Sequence, residues 1–161
     1  MTMATRIGVL ERGRLHQVGS AQELYTRPRN RFVAEFMGAM NWVPARAKPA
    51  RTGEPLLLET PLGTFQASLP PPSSDPEREF TMGFRPSAAN VSAGEGSNRI
   101  GCEILETQYV GSHQQLTVLA RGTGDARAQF RFKIMEPNPL QIRRPGDRIE
   151  IRVAPEQIMV L

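Results

Sequence analysis

The sequence predicts a mainly β protein, a small barrel or sandwich preceded by a short α/β segment. Three observations carry that expectation. The chain of 161 residues holds 14 Gly and 14 Pro, too many breakers for a helical bundle. From Asn41 onward, short apolar segments recur at roughly 8–12-residue spacing with turn residues between them. Gln129-Phe130-Arg131-Phe132-Lys133-Ile134 and Arg148 to Val153 both alternate strictly, the period of a strand with one buried face.

The elements follow in order. Ile7 and Val9, then Leu15 and Val18, flank Glu11-Arg12-Gly13-Arg14, which reads as two short strands around a Gly-containing turn. Ser20 with Glu23 three positions on is a capping box, so a short helix is expected through Leu24 and Tyr25, ending before Pro28. Asn30 is placed to cap a second helix whose stripe is Phe32, Val33, Phe36 and Met37, with Gly38 as its stop. Leu56-Leu57-Leu58 and Phe65 lie in two segments split by Thr60-Pro61-Leu62-Gly63. Pro70 to Pro76, Gly94 to Asn98 and Gly122 to Asp125 read as loops or turns. Arg99 to Val110 and Gln114 to Ala120 read as strands around Gly111-Ser112. Pro145-Gly146 suits the centre of a type II turn leading into Arg148 to Val153, with Ile149, Ile151 and Val153 inward. Ala154-Pro155-Glu156 then turns the chain into a last strand, Ile158 to Leu161.

Apolar residues make up 39% of the chain and charged ones 22%, enough for a lean core. The net charge is +4, a modest field that permits a polyanionic partner without demanding one. No apolar run reaches membrane-spanning length, and residues 1–10 lack the pattern of a signal peptide. The single cysteine, Cys102, rules out an intramolecular disulfide and suggests a reducing, cytosolic setting.

The search for catalytic chemistry is negative. There is no phosphate loop of the G-x-x-x-x-G-K-[ST] type and no G-x-G-x-x-G. His16 and His113 lie far apart without further metal-spaced ligands and read as polar positions at strand ends. Cys102 reads as a small half-buried residue, and Ser112 beside His113 cannot build a triad, because adjacent strand residues point to opposite faces. Glu77 and Glu79 read as a solvated pair, and Asn90-Val91-Ser92 as a chance glycosylation match. Phe130 and Phe132 interleaved with Arg131 and Lys133 hint at single-stranded nucleic acid. Alternation, however, puts both rings on one face and both cations on the other, so a core strand is expected.

Taken together, the residues resemble a known family. Thr2-Met3-Ala4-Thr5-Arg6-Ile7-Gly8-Val9-Leu10, Gly13-Arg14-Leu15, Gln17-Val18-Gly19, Glu23-Leu24-Tyr25, Pro28, Asn30 to Gly38 and Asn41 are similar to the stretch that closes the nucleotide-binding domain of ABC-type importer ATP-binding subunits. Gly83-Phe84-Arg85-Pro86, Tyr109-Val110-Gly111-Ser112, Pro145-Gly146-Asp147-Arg148 and Pro155-Glu156 resemble the transport-associated OB (TOBE) domain that follows in polyamine-, iron- and sugar-type importers. Where that domain usually has an acid after Arg-Pro, this chain has Ser87.

The resemblance implies a remnant of the nucleotide-binding domain over residues 1–40 and an OB-like small barrel, the TOBE domain, over 41–161. It implies no catalytic, cofactor or metal residues in this chain, since the phosphate loop, signature, catalytic carboxylate and switch histidine lie upstream in such proteins. ATP and Mg would belong to the parent ATPase. It further implies an accessory or regulatory role, a second copy of the same subunit as partner, membrane permease subunits reached through the ATPase part, no nucleic acid, and a place on the cytoplasmic face of the membrane. The candidate interface residues are Tyr109, Gly111, Ser112, Gly146 and Asp147. On this reading the stripe Phe32, Val33, Phe36 and Met37 is expected to be partly exposed or repacked on the barrel, and residues 1–38 to be dispensable for folding the rest. The alternative is a free-standing OB-type module that binds single-stranded nucleic acid or a small oxyanion.

Overall fold

The fold is seen in a computed structural model, which describes residues 5–48, 55–68, 79–91, 96–123, 128–137 and 141–161. The loop at Pro70 to Pro76, Glu77, Ser92, Gly94, Glu95, Gly124 and Asp125 lie outside the described residues, as do Thr2, Met3 and Ala4.

A two-stranded hairpin opens the chain, β1 (Ile7–Glu11) against β2 (Arg14–Gly19), turned by Arg12 at φ 49° and Gly13 at φ 79°. Two helices of one and a half turns follow, α1 (Ala21–Thr26) and α2 (Arg31–Phe36). Helices this short are held by their ends and by packing. At α1 the capping box is complete: Glu23 N donates to Ser20 Oγ at 3.1 Å, and Ser20 N donates to Glu23 Oε2 at 2.8 Å. At α2, Val33 N donates to Asn30 Oδ1 at 3.0 Å.

The backbone N–H of Ser20, then its hydroxyl, hold the Glu23 carboxyl below its ordinary value of 4.5. A depressed carboxylate pKa stabilises the fold above the ordinary value, and that stabilisation is lost as pH falls through the folded value. Ser20→Ala removes the oxygen that accepts from Glu23 N and should lower stability by about 1 kcal/mol at neutral and acid pH alike. Glu23→Gln removes the titrating group instead, so its gap to the wild type should close at acid pH, and thermal melts of both variants at both pH values check it.

Among the described residues ten further strands follow: β3 (Asn41–Ala47), β4 (Leu56–Thr60), β5 (Gly63–Ala67), β6 (Glu79–Phe84), β7 (Ala89–Val91), β8 (Arg99–Val110), β9 (His113–Arg121), β10 (Gln129–Glu136), β11 (Arg148–Val153) and β12 (Met159–Val160). They form two five-stranded sheets, ordered β12-β6-β3-β4-β5 and β7-β11-β8-β9-β10, with antiparallel pairing throughout. The orders match position by position. The run β3 to β6, a 3-10 turn at Pro86–Ala88 and β7 is repeated as β8 to β11, a 3-10 turn at Pro155–Gln157 and β12. Each half gives its last strand to the other half's sheet. The β-domain is thus an internal duplication with exchanged ends.

Inward residues of both sheets share one core, with Phe65, Phe84, Phe132, Leu116, Ile134 and Ile151 fully buried. Phe84 from the first sheet meets Phe132 from the second edge-on at 5.2 Å. The duplication also places two asparagines at matching points, each reaching the other sheet's edge. Asn41 Nδ2 donates to Lys133 O and accepts from Lys133 N at Oδ1, both at 2.9 Å, on edge strand β10. Asn98 Nδ2 donates to Gln66 O at 2.8 Å, and Gln66 N donates to Asn98 Oδ1 at 2.6 Å, on edge strand β5. A side-chain amide offers the donor and acceptor that a neighbouring strand would, so each clasp covers part of an open edge.

The opening segment keeps a separate small cluster of Val9, Leu24 and Val33, with Ile7, Phe32 and Met37 against it. The expected α2 stripe is therefore split: Val33 is fully buried, and Phe36 is 63% exposed. Most of the segment's exposed apolar surface lies elsewhere. Leu10, Leu15 and Val18 line the outer face of the hairpin, because Val9 and Gln17 take the inner face. Leu15 and Val18, read with Ile7 and Val9 as the apolar pairs of two short strands, point outward.

Candidate interaction site

The chemistry-bearing residues are accounted for first. His16 is not at a strand end but within β2. Its Nδ1 faces Asn30 Nδ2 at 3.0 Å, its Nε2 faces Glu11 Oε2 at 3.3 Å, and its ring tilts over Phe32 at 4.9 Å. Asn30 holds its carbonyl to the helix start and so turns its amide to the ring. Nδ1 then accepts, and Nε2 carries the proton. Cys102 is more buried than expected, at 6% exposure, and burial pushes its thiol up to about 12, so it carries little thiolate at neutral pH. Among the described residues, no three of His, Cys, Asp and Glu gather as a metal site. Phe132 is buried, with Phe130 stacked on it at 6.3 Å, while Arg131 and Lys133 face solvent. Those rings serve the core and are not open to bases.

The candidate interface residues lie along β8. This strand is longer than its counterpart β3 and carries a bulge at Leu105, between the pairs Ile104↔Val118 and Glu106↔Thr117. Beyond the bulge, the end of β8 and its turn into β9 form an exposed tip, the tongue, while β9 stays paired to β10 as far as the buried Gln114. Tyr109 is 57% and Val110 41% exposed there, and Gly111 turns the tip at φ 60° beside exposed Ser112. Gly146 and Asp147 sit in the predicted turn: Asp147 N donates to Arg144 O at 3.1 Å, with Gly146 at φ 91°. Arg144 N donates to Asp147 Oδ2 at 2.9 Å, which fixes that carboxylate.

The two groups do not form one cluster. Gly146 N and Asp147 O bond to Ile104, roughly 17 Å along β8 from Tyr109. Residues 141–143, ahead of that turn, run beside the hairpin, with Thr107 Oγ1 donating to Arg143 O at 3.2 Å and Gln114 Nε2 to Gln141 O at 2.9 Å. Sequence reasoning missed Ile142, which stands 66% exposed on this loop, and Met135 beside the tongue. Both read as core residues by type alone. The result is an edge strip with a turn at each end and apolar side chains toward the tip.

The other feature that sequence reasoning missed is Arg85. It leaves the β-domain at the end of β6 and reaches into the opening segment, where it is 4% exposed. Its Nη1 donates to Ala34 O at 2.9 Å and Gly38 O at 2.8 Å, with Ala39 O at 3.4 Å; its Nη2 donates to Tyr25 O at 3.1 Å. The guanidinium lies 4.2 Å over the Tyr25 ring. These carbonyls include the unpaired ends of both helices, where a cation is favoured. Trp42 makes a parallel link: its Nε1 donates to Glu35 Oε1 at 2.8 Å, and Arg31 lies over its ring at 5.2 Å. The hydrogen bond from Arg31, ahead of that from Trp42, holds the Glu35 carboxyl below its ordinary range.

No family model matches the chain. Among curated proteins, it is 30% identical over 142 residues to a spermidine/putrescine import ATP-binding protein, PotA, of Pseudomonas fluorescens, covering 88% of this chain and 36% of that protein. It is 31% identical over 156 residues to an Fe(3+) ions import ATP-binding protein, FbpC 1, of Pectobacterium atrosepticum, covering 95% of this chain and 39% of that one. It is also 31% identical over 163 residues to a sn-glycerol-3-phosphate import ATP-binding protein, UgpC, of Chromobacterium violaceum, covering 98% and 40%. The chain thus spans well under half the length of these relatives. Among solved structures, the cytoplasmic molybdate-binding protein ModG superposes with a TM-score of 0.55 at 9% identity, over 74% of this chain and 94% of that one. That likeness supports an OB-like fold and nothing finer. The sequence match and the fold agree with the motifs at both ends: the chain belongs to the ABC importer ATP-binding subunits and corresponds to their C-terminal part, the nucleotide-binding domain's tail followed by the transport-associated OB domain.

Proposed function

We propose that this chain is the non-catalytic accessory and dimer-contact part of an importer ATP-binding subunit that takes part in moving a solute across a membrane. ATP and Mg would act in the parent subunit, on its nucleotide-binding part. Its partners would be a second copy of the same subunit and, through the ATPase part, the membrane permease. Its place would be the cytoplasmic face of the membrane. The division at residues 40 and 41 is supported by the two separate apolar clusters on either side of it.

The observation that carries the reading is the tongue of β8 and β9. A large aromatic and a branched aliphatic residue, Tyr109 and Val110, stand exposed at the end of β8. Exposed apolar side chains gathered on a protruding edge favour a protein partner. A two-fold contact needs one patch that complements itself, and a hairpin tip set beside its own copy meets that need.

The test uses the full-length subunit. Tyr109→Glu and Gly111→Asp are chosen because both positions are exposed and Asp tolerates φ near +60°. We expect either variant to melt near the wild-type temperature and to weaken dimerisation roughly tenfold or more, as loss of an interface anchor does. Transport-coupled ATP turnover should fall with it. Wild-type dimerisation and turnover in both variants would remove the tongue from the interface.

A further inference from the structure

His16 is the extra residue of a bulge in β2. Val9 pairs with Gln17 and Leu10 with Leu15, which leaves His16 without a partner in the ladder. A bulge re-aims side chains, and here His16 and Gln17, though adjacent, both reach the link between the two helices. Gln17 Nε2 donates to Arg27 O at 3.1 Å, and its Oε1 accepts from Arg29 N at 2.8 Å. His16 Nδ1 accepts from Asn30 Nδ2 at 3.0 Å. Asn30 is thereby shared: its carbonyl caps α2 through Val33 N, and its amide serves the ring. On the ring's other side Nε2 faces Glu11 of β1, and Phe32 of α2 packs against it.

This arrangement fits one protonation state of the ring. A neutral imidazole with its proton on Nε2 satisfies Glu11, Asn30 and, through Asn30, Val33. An imidazolium donates from both nitrogens. Its Nδ1–H would point at the Asn30 amide, a second donor, and one of the two must give way. Turning the Asn30 amide over restores a hydrogen bond to the ring, but it sets Nδ2 against Val33 N and removes the cap. Glu11 favours the charged ring throughout, with Oε2 3.3 Å from Nε2. Among the described residues, no other charged group contacts the ring. Arg14, opposite Glu11 in the hairpin, and Arg29 are exposed, and Arg31 is engaged by Glu35 and lies over Trp42.

We propose that His16 and Asn30 form a pH-sensitive latch on α2, in which uptake of one proton by His16 Nδ1 turns the Asn30 amide and releases the cap on Val33 N. The proton comes from solvent, to which 17% of the His16 side chain is open, and returns there as pH rises. Histidine is the side chain that ordinarily changes charge between pH 5 and 8. Because α2 has only six residues, the loss of its cap is felt along its whole length. Ala34 O in α2 and Gly38 O just beyond it accept from Arg85, and Glu35 accepts from Trp42 Nε1. Mild acid therefore loosens the joint between the opening segment and the barrel. The latch involves neither the tongue nor the dimer contact, so it stands or falls separately from the proposed function.

The test is an NMR titration of the intact chain from about pH 8 to about pH 5.5, above the range where carboxylates ordinarily protonate. At the upper end His16 Nδ1 should resonate as an unprotonated acceptor and Nε2 as an N–H. As the ring takes up its second proton, the Val33 amide should lose about fivefold in exchange protection, measured against its intrinsic rate, the loss expected of a helix cap. Trp42 fluorescence should shift in step. Asn30→Asp keeps a capping oxygen and offers a second acceptor to Nδ1–H, so the ring should charge without loss of protection. His16→Gln removes the titrating group and should hold Val33 protection flat across the range. A charged His16 with unchanged Val33 protection in the wild type would overturn the proposal. So would a ring that stays neutral throughout, or a loss of protection that persists in either variant.

Discussion

Arg85→Ala should destabilise the chain by about 3 kcal/mol, the combined loss of several hydrogen bonds from one buried cation. For a chain of this length that lowers the melting temperature by roughly 10 °C. Arg85→Lys should rescue little, since a single ammonium cannot reach acceptors spread around a planar fork. The physical origin of the effect can be isolated. Removing residues 1–38 takes away the carbonyls of Tyr25, Ala34 and Gly38 and leaves that of Ala39. The core shared by the two sheets lies wholly in the remainder, so the fragment should still fold. Within it, however, Arg85→Ala should change stability by less than about 1 kcal/mol, because most of its partners are already gone. Equal losses in the whole chain and the fragment would mean that Arg85 acts within the β-domain alone. Trp42, the single tryptophan, bonds to Glu35 across the same joint, so its fluorescence should shift on truncation. The expectation that residues 1–38 are dispensable is thereby narrowed: the barrel should survive their loss with less stability, since the joint is built from its own arginine.

Asn41→Ala is the second large effect, about 2–3 kcal/mol. Each of its two hydrogen bonds contributes about 1 kcal/mol, and the Lys133 N–H and C=O lose their partners. Asn41→Asp should be no better. It keeps an acceptor for Lys133 N but sets a carboxylate oxygen against Lys133 O. Because β10 is a sheet edge, losing the clasp also opens it to pairing with other chains. Urea melts should show a lower midpoint with an unchanged slope, and the Lys133 amide should exchange faster in the variant. Unchanged protection of that amide would show that the clasp does not hold the edge.

Much of the local structure was legible in the sequence because its causes are local. The capping box at Ser20 and Glu23, the Asn30 cap and the Pro145-Gly146 turn each depend on residues within three or four positions of one another. Strict alternation likewise identified β10 and β11 and their buried faces, and so settled which way Phe130 and Phe132 point. Where local pattern was ambiguous, reading by type failed. Leu15 and Val18 look like core residues, but the hairpin's inner face was already taken by Val9 and Gln17. Ile142 and Met135 look the same and stand exposed. His16 lies mid-strand because the partner that explains it, Asn30, arrives from a helix cap fourteen residues away.

The candidate interface was half legible. Gly111 and Gly146 were recognisable as turn residues, and both have the positive φ that a turn requires. That they mark opposite ends of one strip along β8 depends on the register of three strands and a bulge, which no short window contains.

By itself, the sequence determined the two capped helices, the opening hairpin, the all-β character from Asn41 onward, most of the later strands and the family resemblance, but not β3, β6 or β7. These follow from hydrophobic period and turn chemistry, which act over a few residues. Only the tertiary structure decided that the β-domain is a duplication with exchanged last strands. It also decided that Asn41 and Asn98 close each other's sheet edges and that Arg85 ties the barrel to the helices before it. Each rests on pairing between residues more than thirty positions apart. Such pairs leave no periodic mark, because one buried side chain and one backbone carbonyl suffice to make them.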